Sequence, residues 1–170
     1  MNLSAYIRDI PDFPKQGIIF KDITPLLSNH DAFRYAIDEL KKRFTGVKIT
    51  KIVGAEARGF LVGAALSYSM GIGFVPIRKP NKLPYKTVSY SYQLEYGSDT
   101  LCIHEDALTS KDHVLVVDDL LATGGTAAAT VELCRKLGAE IVGVGFLVEL
   151  DFLNGREKLN DLRVESLIHF

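Results

Sequence analysis

The chain has 170 residues, 47% of them hydrophobic, which is enough for one domain with a sizeable core and argues against disorder. Lys plus Arg number 20 and Asp plus Glu 21, so the formal net charge is -1 and there is no basic footprint for nucleic acid or an anionic membrane. Cys102 and Cys134 make neither a disulfide framework nor a CxxC pair, no window approaches ~20 uninterrupted apolar residues, and the start MNLSAYIRDIPDFP is charged and proline-broken, so a single cytoplasmic domain over 1–170 is the default expectation.

Helix and strand signals alternate along the chain. Residues 31–44 place Phe33, Ala36, Ile37, Leu40 and Phe44 at helical spacing, with Ser28, Asn29 and Asp31 as N-cap candidates. A short apolar strand is predicted at 49–55, a small-residue helix at 58–70 carrying Gly63, Ala64 and Ala65, and another strand at 73–77 that runs into Arg78-Lys79-Pro80. Residues 87–96 alternate polar and aromatic side chains, Gly97-Ser98-Asp99 looks like a turn, and 101–103 is apolar again, which together predict a β-hairpin. A strand at 114–117 follows, then a helix at 125–138 with Ala127, Val131 and Cys134 on one face and Gly138 as its C-cap. The nearly continuous apolar run 141–148 is the pattern of a strand covered on both faces. Strands separated by helices imply right-handed crossovers and a parallel sheet, with ligands at the carboxyl ends of the strands. Glu56-Ala57-Arg58, Arg78-Lys79 and Asp118-Asp119 all fall at such ends.

The stretch VLVVDDLLATGGT, residues 114–126, drives an apolar strand into two aspartates and then a glycine turn. Alone, two acids after a strand are as well explained by an Asx turn or a helix cap. Thr123-Gly124-Gly125-Thr126, however, supplies backbone amides, hydroxyls and a helix N-terminus in one place, which favours an anion. Adjacent carboxylates suit ligand hydroxyls or a ligand-bound Mg²⁺ better than the phosphate itself. A phosphorylated ribose satisfies both halves. The P-loop pattern GxxxxGK[ST] is absent, and Gly143-Val144-Gly145 lacks the third glycine of a dinucleotide fingerprint.

This stretch resembles the 5-phosphoribosyl-1-pyrophosphate (PRPP) motif of the type I phosphoribosyltransferases. FPKQGIIFKDITPLL (13–27), GAEARGFLVG (54–63), IRKPNKLP (77–84), YQLEYG (92–97) and LVELDFLNGREKL (147–159) resemble the adenine-using branch of that family, in the same order along the chain. The resemblance implies an α/β type I phosphoribosyltransferase fold: a twisted, mostly parallel sheet flanked by helices, with an N-terminal hood at about 1–30 and a flexible hairpin loop at about 81–106. By position, it assigns Asp118 and Asp119 to the ribose hydroxyls and Ala122, Thr123, Gly124, Gly125 and Thr126 to the 5′-phosphate.

It further implies a pyrophosphate site at Glu56, Ala57, Arg58, Arg78, Lys79 and Lys82, with a non-proline cis peptide at Glu56–Ala57. The Arg58 fork suits a leaving pyrophosphate. Glu95 is the candidate general acid/base and Tyr96 helps the loop close. Ile19, Phe20, Lys21 and Leu147 form the adenine pocket, largely through main-chain groups. Mg²⁺ is expected to arrive with PRPP, near Asp118 and Asp119, with no dedicated protein cage, and the spacing of His30, His104, His113 and His169 suggests no metal site. A homodimer using adenine and PRPP and releasing AMP and pyrophosphate is the implied enzyme. A phosphoribosyltransferase for a 6-oxopurine and a non-catalytic PRPP-sensing regulator are the rivals.

Overall fold

The computed structural model describes residues 1–93 and 97–170. Its centre is a five-stranded sheet in the order β4 (Gly73–Ile77), β3 (Lys51–Ala55), β7 (His113–Leu121), β8 (Glu140–Glu149), β9 (Val164–His169), and each neighbouring pair is parallel. The predicted crossover helices are present. Helix α2 (His30–Arg43) is capped by Asn29, whose side chain accepts from the Ala32 amide at 2.9 Å, so Asn29 is the cap among the three candidates. Helix α3 (Arg58–Met70) ends at left-handed Gly71, and α4 (Gly125–Lys136) at Leu137, with Gly138 one residue beyond the cap rather than in it.

Alternation along the strands divides the core in two. Val53, Val114, Val116, Val144 and Phe146 pack towards α4, meeting Ala127, Val131 and Cys134. Ile52, Leu115, Val117 and Val148 pack towards α2 and α3, meeting Leu40, Phe44, Val62 and Leu66. Both cysteines are free and buried. The small residues predicted on α3 let it lie close to the sheet: a Cβ on Gly63 would stand 2.4 Å from the Phe74 ring.

Two antiparallel ribbons lie outside the sheet. β1 (Arg8–Pro11) pairs with β2 (Ile19–Asp22), in the region expected to form the hood. β5 (Thr87–Gln93) pairs with β6 (Ser98–His104) in the predicted hairpin. Ser98 and Asp99, expected in the turn, are strand residues opposite Gln93 and Tyr92, and Gly97 just before them takes φ +91.

Three differences from the sequence reading bear on the site. β7 does not stop at Val117 but continues to Leu121, because β8 runs alongside it and pairs Leu120 with Val148 and Leu121 with Glu149. The aspartates therefore stand within the strand, not at its end. The short helix α1 (Thr24–Ser28), with Pro25 in its first turn, and the edge strand β9 were not predicted. The Glu56–Ala57 peptide is cis, as the resemblance implies, and so is Phe13–Pro14.

Candidate active site

At the carboxyl ends of β3 and β7 lies a cleft of about 280 Å³, lined by residues 56–58, 118–127 and Phe146. Most of the positions assigned to PRPP meet here. Parallel pairing sets Gly54 beside Val117, so the turn after β3 and the aspartates of β7 converge at the same level. Asp119 is buried, 3% exposed. Its Oδ2 lies 3.0 Å from Nε of Arg58 without the alignment of a hydrogen bond. Asp118 accepts the Asp119 amide through Oδ1 at 2.9 Å. A Cβ on Gly59 would come within 2.7 Å of that same oxygen, so the first turn of α3 is pressed against the aspartate.

The two acids are held at unusual proton affinity. Burial, reinforced by the neighbouring Asp119 charge, pushes the Asp118 carboxyl well above the ordinary aspartate range. Burial also raises Asp119, with the Arg58 guanidinium pulling the other way. Sugar hydroxyls donating to these carboxylates would favour the charged form and relieve the empty-state penalty.

Beside them, Gly124 caps α4 with φ +77, a left-handed conformation that leaves the first amides of the helix open towards the cleft. No side chain caps that helix end. A Cβ on Gly124 would stand 2.4 Å from the Gly155 carbonyl oxygen, and one on Gly155 would stand 2.3 Å from the Ala122 carbonyl oxygen. The loop is thus locked against a segment about thirty residues further on. Thr126 sits in the first turn, its hydroxyl 3.2 Å from that of Tyr92 on the hairpin.

The residues assigned to pyrophosphate form two groups. Arg58 faces Asp119 and stacks its guanidinium 5.3 Å from the Phe20 ring of the β1–β2 ribbon. Glu56 instead organises the β4 exit. It accepts the Lys79 amide at 2.5 Å and pairs with Arg78 at 3.3 Å. Burial raises its pKa, but those two donors outweigh it and hold the carboxyl below its usual range. Arg78 also donates to the Lys82 carbonyl at 3.2 Å, and Lys79 is paired with Asp99 on β6.

In the expected adenine pocket, Ile19 is 54% exposed and Phe20 packs edge-on to Phe13 at 5.2 Å. The Lys21 side chain turns to Asp9 at 2.7 Å and to the Phe170 ring at 3.9 Å. Leu147 is fully buried in the core on the α2 and α3 side, and its neighbour Phe146 is the β8 residue lining the cleft. Glu95 and Tyr96 lie outside the described residues.

Sequence reasoning missed Tyr92, Asp99, Gly155 and Phe146 as parts of the site. Tyr92 sits in an alternating aromatic run that only signals a strand, and Gly155 is a lone glycine whose contact is 31 residues distant from Gly124. Histidine spacing also hid a cluster: pairing of Glu149 with His169 across β8 and β9 brings ligand atoms of Glu149, Asp151 and His169 within 4.8 Å of one another. Arg156 grips Glu149 at 2.6 and 2.8 Å and His169 shares a hydrogen bond with Asp151 at 2.8 Å, away from the cleft.

A parallel sheet with paired aspartates on its central strand and an uncapped, glycine-led helix beside them is a phosphoribosyl-binding architecture, and the phosphoribosyl transferase domain model matches residues 25–167: the chain belongs to that family. A curated relative from Solidesulfovibrio magneticus, named adenine phosphoribosyltransferase, is 62% identical over 168 residues, covering 99% of this chain and 98% of its own. The crystal structure of adenine phosphoribosyltransferase from Thermoanaerobacter pseudethanolicus superposes with a TM-score of 0.96 at 54% identity, over 99% of this chain and 98% of that one. The Saccharomyces cerevisiae enzyme, solved with an imino-altritol bisphosphate and adenine, matches with a TM-score of 0.91 at 44% identity, over 97% and 96% of the two chains. Within the family, the chain falls among the adenine phosphoribosyltransferases.

Proposed function

We propose that this chain transfers the 5-phosphoribosyl group of PRPP to N9 of adenine, giving AMP and pyrophosphate. The carrying observation is the convergence of Asp118 and Asp119 with the Gly124-capped start of α4 in one cleft lined by Arg58, whose guanidinium lies beside the Phe20 ring. Asp118 and Asp119 receive the ribose hydroxyls, and the amides of 122–126 with the Thr126 hydroxyl receive the 5′-phosphate. Phe20 offers an aromatic face to the base, and Arg58, between that ring and Asp119, neutralises charge that develops on the departing pyrophosphate. N9 attacks C1′ with inversion as the C1′–O bond to pyrophosphate breaks. Glu95, in the hairpin, takes the role of acid/base towards the purine.

Magnesium enters this reading with PRPP. The buried Asp119 Oδ2 lacks an aligned hydrogen-bond donor and is an oxygen donor of the hard kind that the ion prefers, so the pair fits it. When bound, the ion lowers the charge of the leaving group. The reading extends to a homodimer, for which the outward face of α3, with Leu61 and Tyr68 48% and 92% exposed one above the other, is the surface that a second copy would cover. Two free buried cysteines suit a reducing, cytoplasmic setting, and among the described residues no helix is long and apolar enough to cross a membrane.

The test is adenine-dependent pyrophosphate release from PRPP. Hypoxanthine should serve far less well, and equal rates with the two bases would sink the choice of acceptor. Asp119→Asn and Glu95→Gln should each depress turnover; if neither does, the roles given to them are wrong. Sedimentation at micromolar concentration checks the dimer.

A further inference from the structure

The hairpin of β5 and β6 is joined to the start of α4 by packing of the Tyr92 ring and a hydrogen bond at its hydroxyl. Its root is anchored elsewhere: Lys136 donates to the Ser89 carbonyl at 3.1 Å and lies 5.0 Å over the Tyr90 ring. Nearer the tip, the Tyr92 hydroxyl is 3.3 Å from Oδ2 of Asp99 and 3.2 Å from Oγ1 of Thr126. The Tyr92 ring covers the helix start, 3.4 Å from where a Cβ on Gly125 would stand. Asp99 is opposite Tyr92 in the hairpin register and paired with Lys79, and that pairing, with the Thr100 amide, keeps its carboxyl below the usual range.

Counting protons fixes the direction of each bond. An ionised carboxylate only accepts, and a tyrosine hydroxyl has a single proton. Tyr92 therefore donates to Asp99, and at the other contact its oxygen accepts from Thr126. Thr126 has one proton too, and here it is directed at the hairpin. A phosphate oxygen at the start of α4 is also an acceptor and needs that same proton.

We propose that Tyr92 is a positioning residue which holds the Thr126 hydroxyl towards the hairpin in the empty site, so that an arriving phosphate monoester and Tyr92 compete for it. This rests on the assignment of residues 122–126 to the 5′-phosphate. Two sites coupled in this way affect each other equally in binding: the phosphate weakens the hairpin's hold on α4, and loss of that hold strengthens phosphate binding. The hairpin is thereby released by the ligand that it covers.

Ribose 5-phosphate is the probe. Its dissociation constant is measured by calorimetry for the wild type, Tyr92→Phe, Thr126→Val and the double variant. Tyr92→Phe should bind about two- to tenfold more tightly, the factor corresponding to one neutral hydrogen bond. On the Thr126→Val background the same change should have no effect. Amide exchange in β5 and β6 should quicken when ribose 5-phosphate is added to the wild type, and in Tyr92→Phe should be quick already and indifferent to it. Unchanged or weaker binding by Tyr92→Phe, or an equal gain without Thr126, overturns the competition. A wild type that does not bind ribose 5-phosphate at all overturns the phosphate-loop assignment as well, whereas intact wild-type binding with a neutral Tyr92→Phe removes this inference alone.

Discussion

Nε of Arg58 lies 3.0 Å from Oδ2 of Asp119, so a residue from the first turn of α3 supplies a cation beside a carboxylate on the sheet's central strand. Asp119 is almost fully buried, and Arg58 opposes the upward push of burial on its proton affinity. In Arg58→Gln that opposition is lost and the Asp119 pKa climbs further. If, as proposed, ribose hydroxyls use the ionised acid as acceptor, the acid limb of the kcat/KM profile should move to higher pH. The plateau should fall by about a hundredfold, from loss of the charge-assisted contact to pyrophosphate. An unshifted limb would separate Arg58 from Asp119.

Asp118→Asn should stabilise the empty protein while impairing turnover. The folded pKa of Asp118 is raised well above its unfolded value near 3.8, so the native state binds more protons than the unfolded chain between those two values. Stability attributable to this group therefore falls as pH rises through that window and stays low above it. Asparagine keeps an oxygen for the Asp119 amide and removes the charge. At pH 7 we expect Tm to rise by ~2–4 °C, with the gain vanishing in acid. Thermal scans across pH provide the check.

Gly124→Ala meets two obstacles together, φ +77 and a Gly155 carbonyl oxygen 2.4 Å from the new Cβ. The substitution should cost about 2–4 kcal/mol in denaturant titrations and abolish ribose 5-phosphate binding. Gly46→Ala, where φ is +81 but nothing lies within 4 Å, should cost only about 1 kcal/mol.

Glu149→Gln should make the protein less stable at neutral pH by about 1–2 kcal/mol, since it leaves a partly exposed Arg156 without its two-point partner. Burial raises the Glu149 carboxyl, but Arg156 outweighs it, so its folded pKa lies below the unfolded 4.5. Its contribution is present above pH 4.5 and disappears as pH falls through the folded value. The difference between wild type and variant should therefore shrink in acid. A difference that persists at pH 3 would point to packing rather than charge.

The layered α/β order was legible because periodicity is local: the apolar positions of α2, α3 and α4 and the run that became β8 each report their own burial. The PRPP motif was legible because its acids, its glycines and its helix start are contiguous. Arg58 over Phe20, Gly124 against Gly155 and Tyr92 against Thr126 were not, because each joins segments at least thirty residues apart and depends on register. β7 was predicted too short for a related reason. Two aspartates look like the end of a buried strand unless one knows that β8 continues beside them. The edge strand β9, with polar residues at 165, 166 and 169 and open on one side, lacks the uniform apolar signature of the interior strands.

The placement of β7 at the centre of the sheet has a consequence for the order in which the molecule would come apart. Its aspartates directly follow residues 114–117, which are paired on both sides, and Asp118 keeps its pairing with Phe146 of β8; such a central strand is the part of the fold that opens last. The β1–β2 ribbon has two strands and no further neighbour in a sheet, and ribbons of that size are marginal by themselves, whereas β6 is tied to Arg78 through Cys102 and buries Leu101 and Ile103 in the core. Warming should therefore fray the β1–β2 ribbon first, while the floor of the cleft keeps its shape. On the proposed function, the half that holds the sugar would outlast the ribbon that selects the base, and failure would show first as lost discrimination and only later as lost structure.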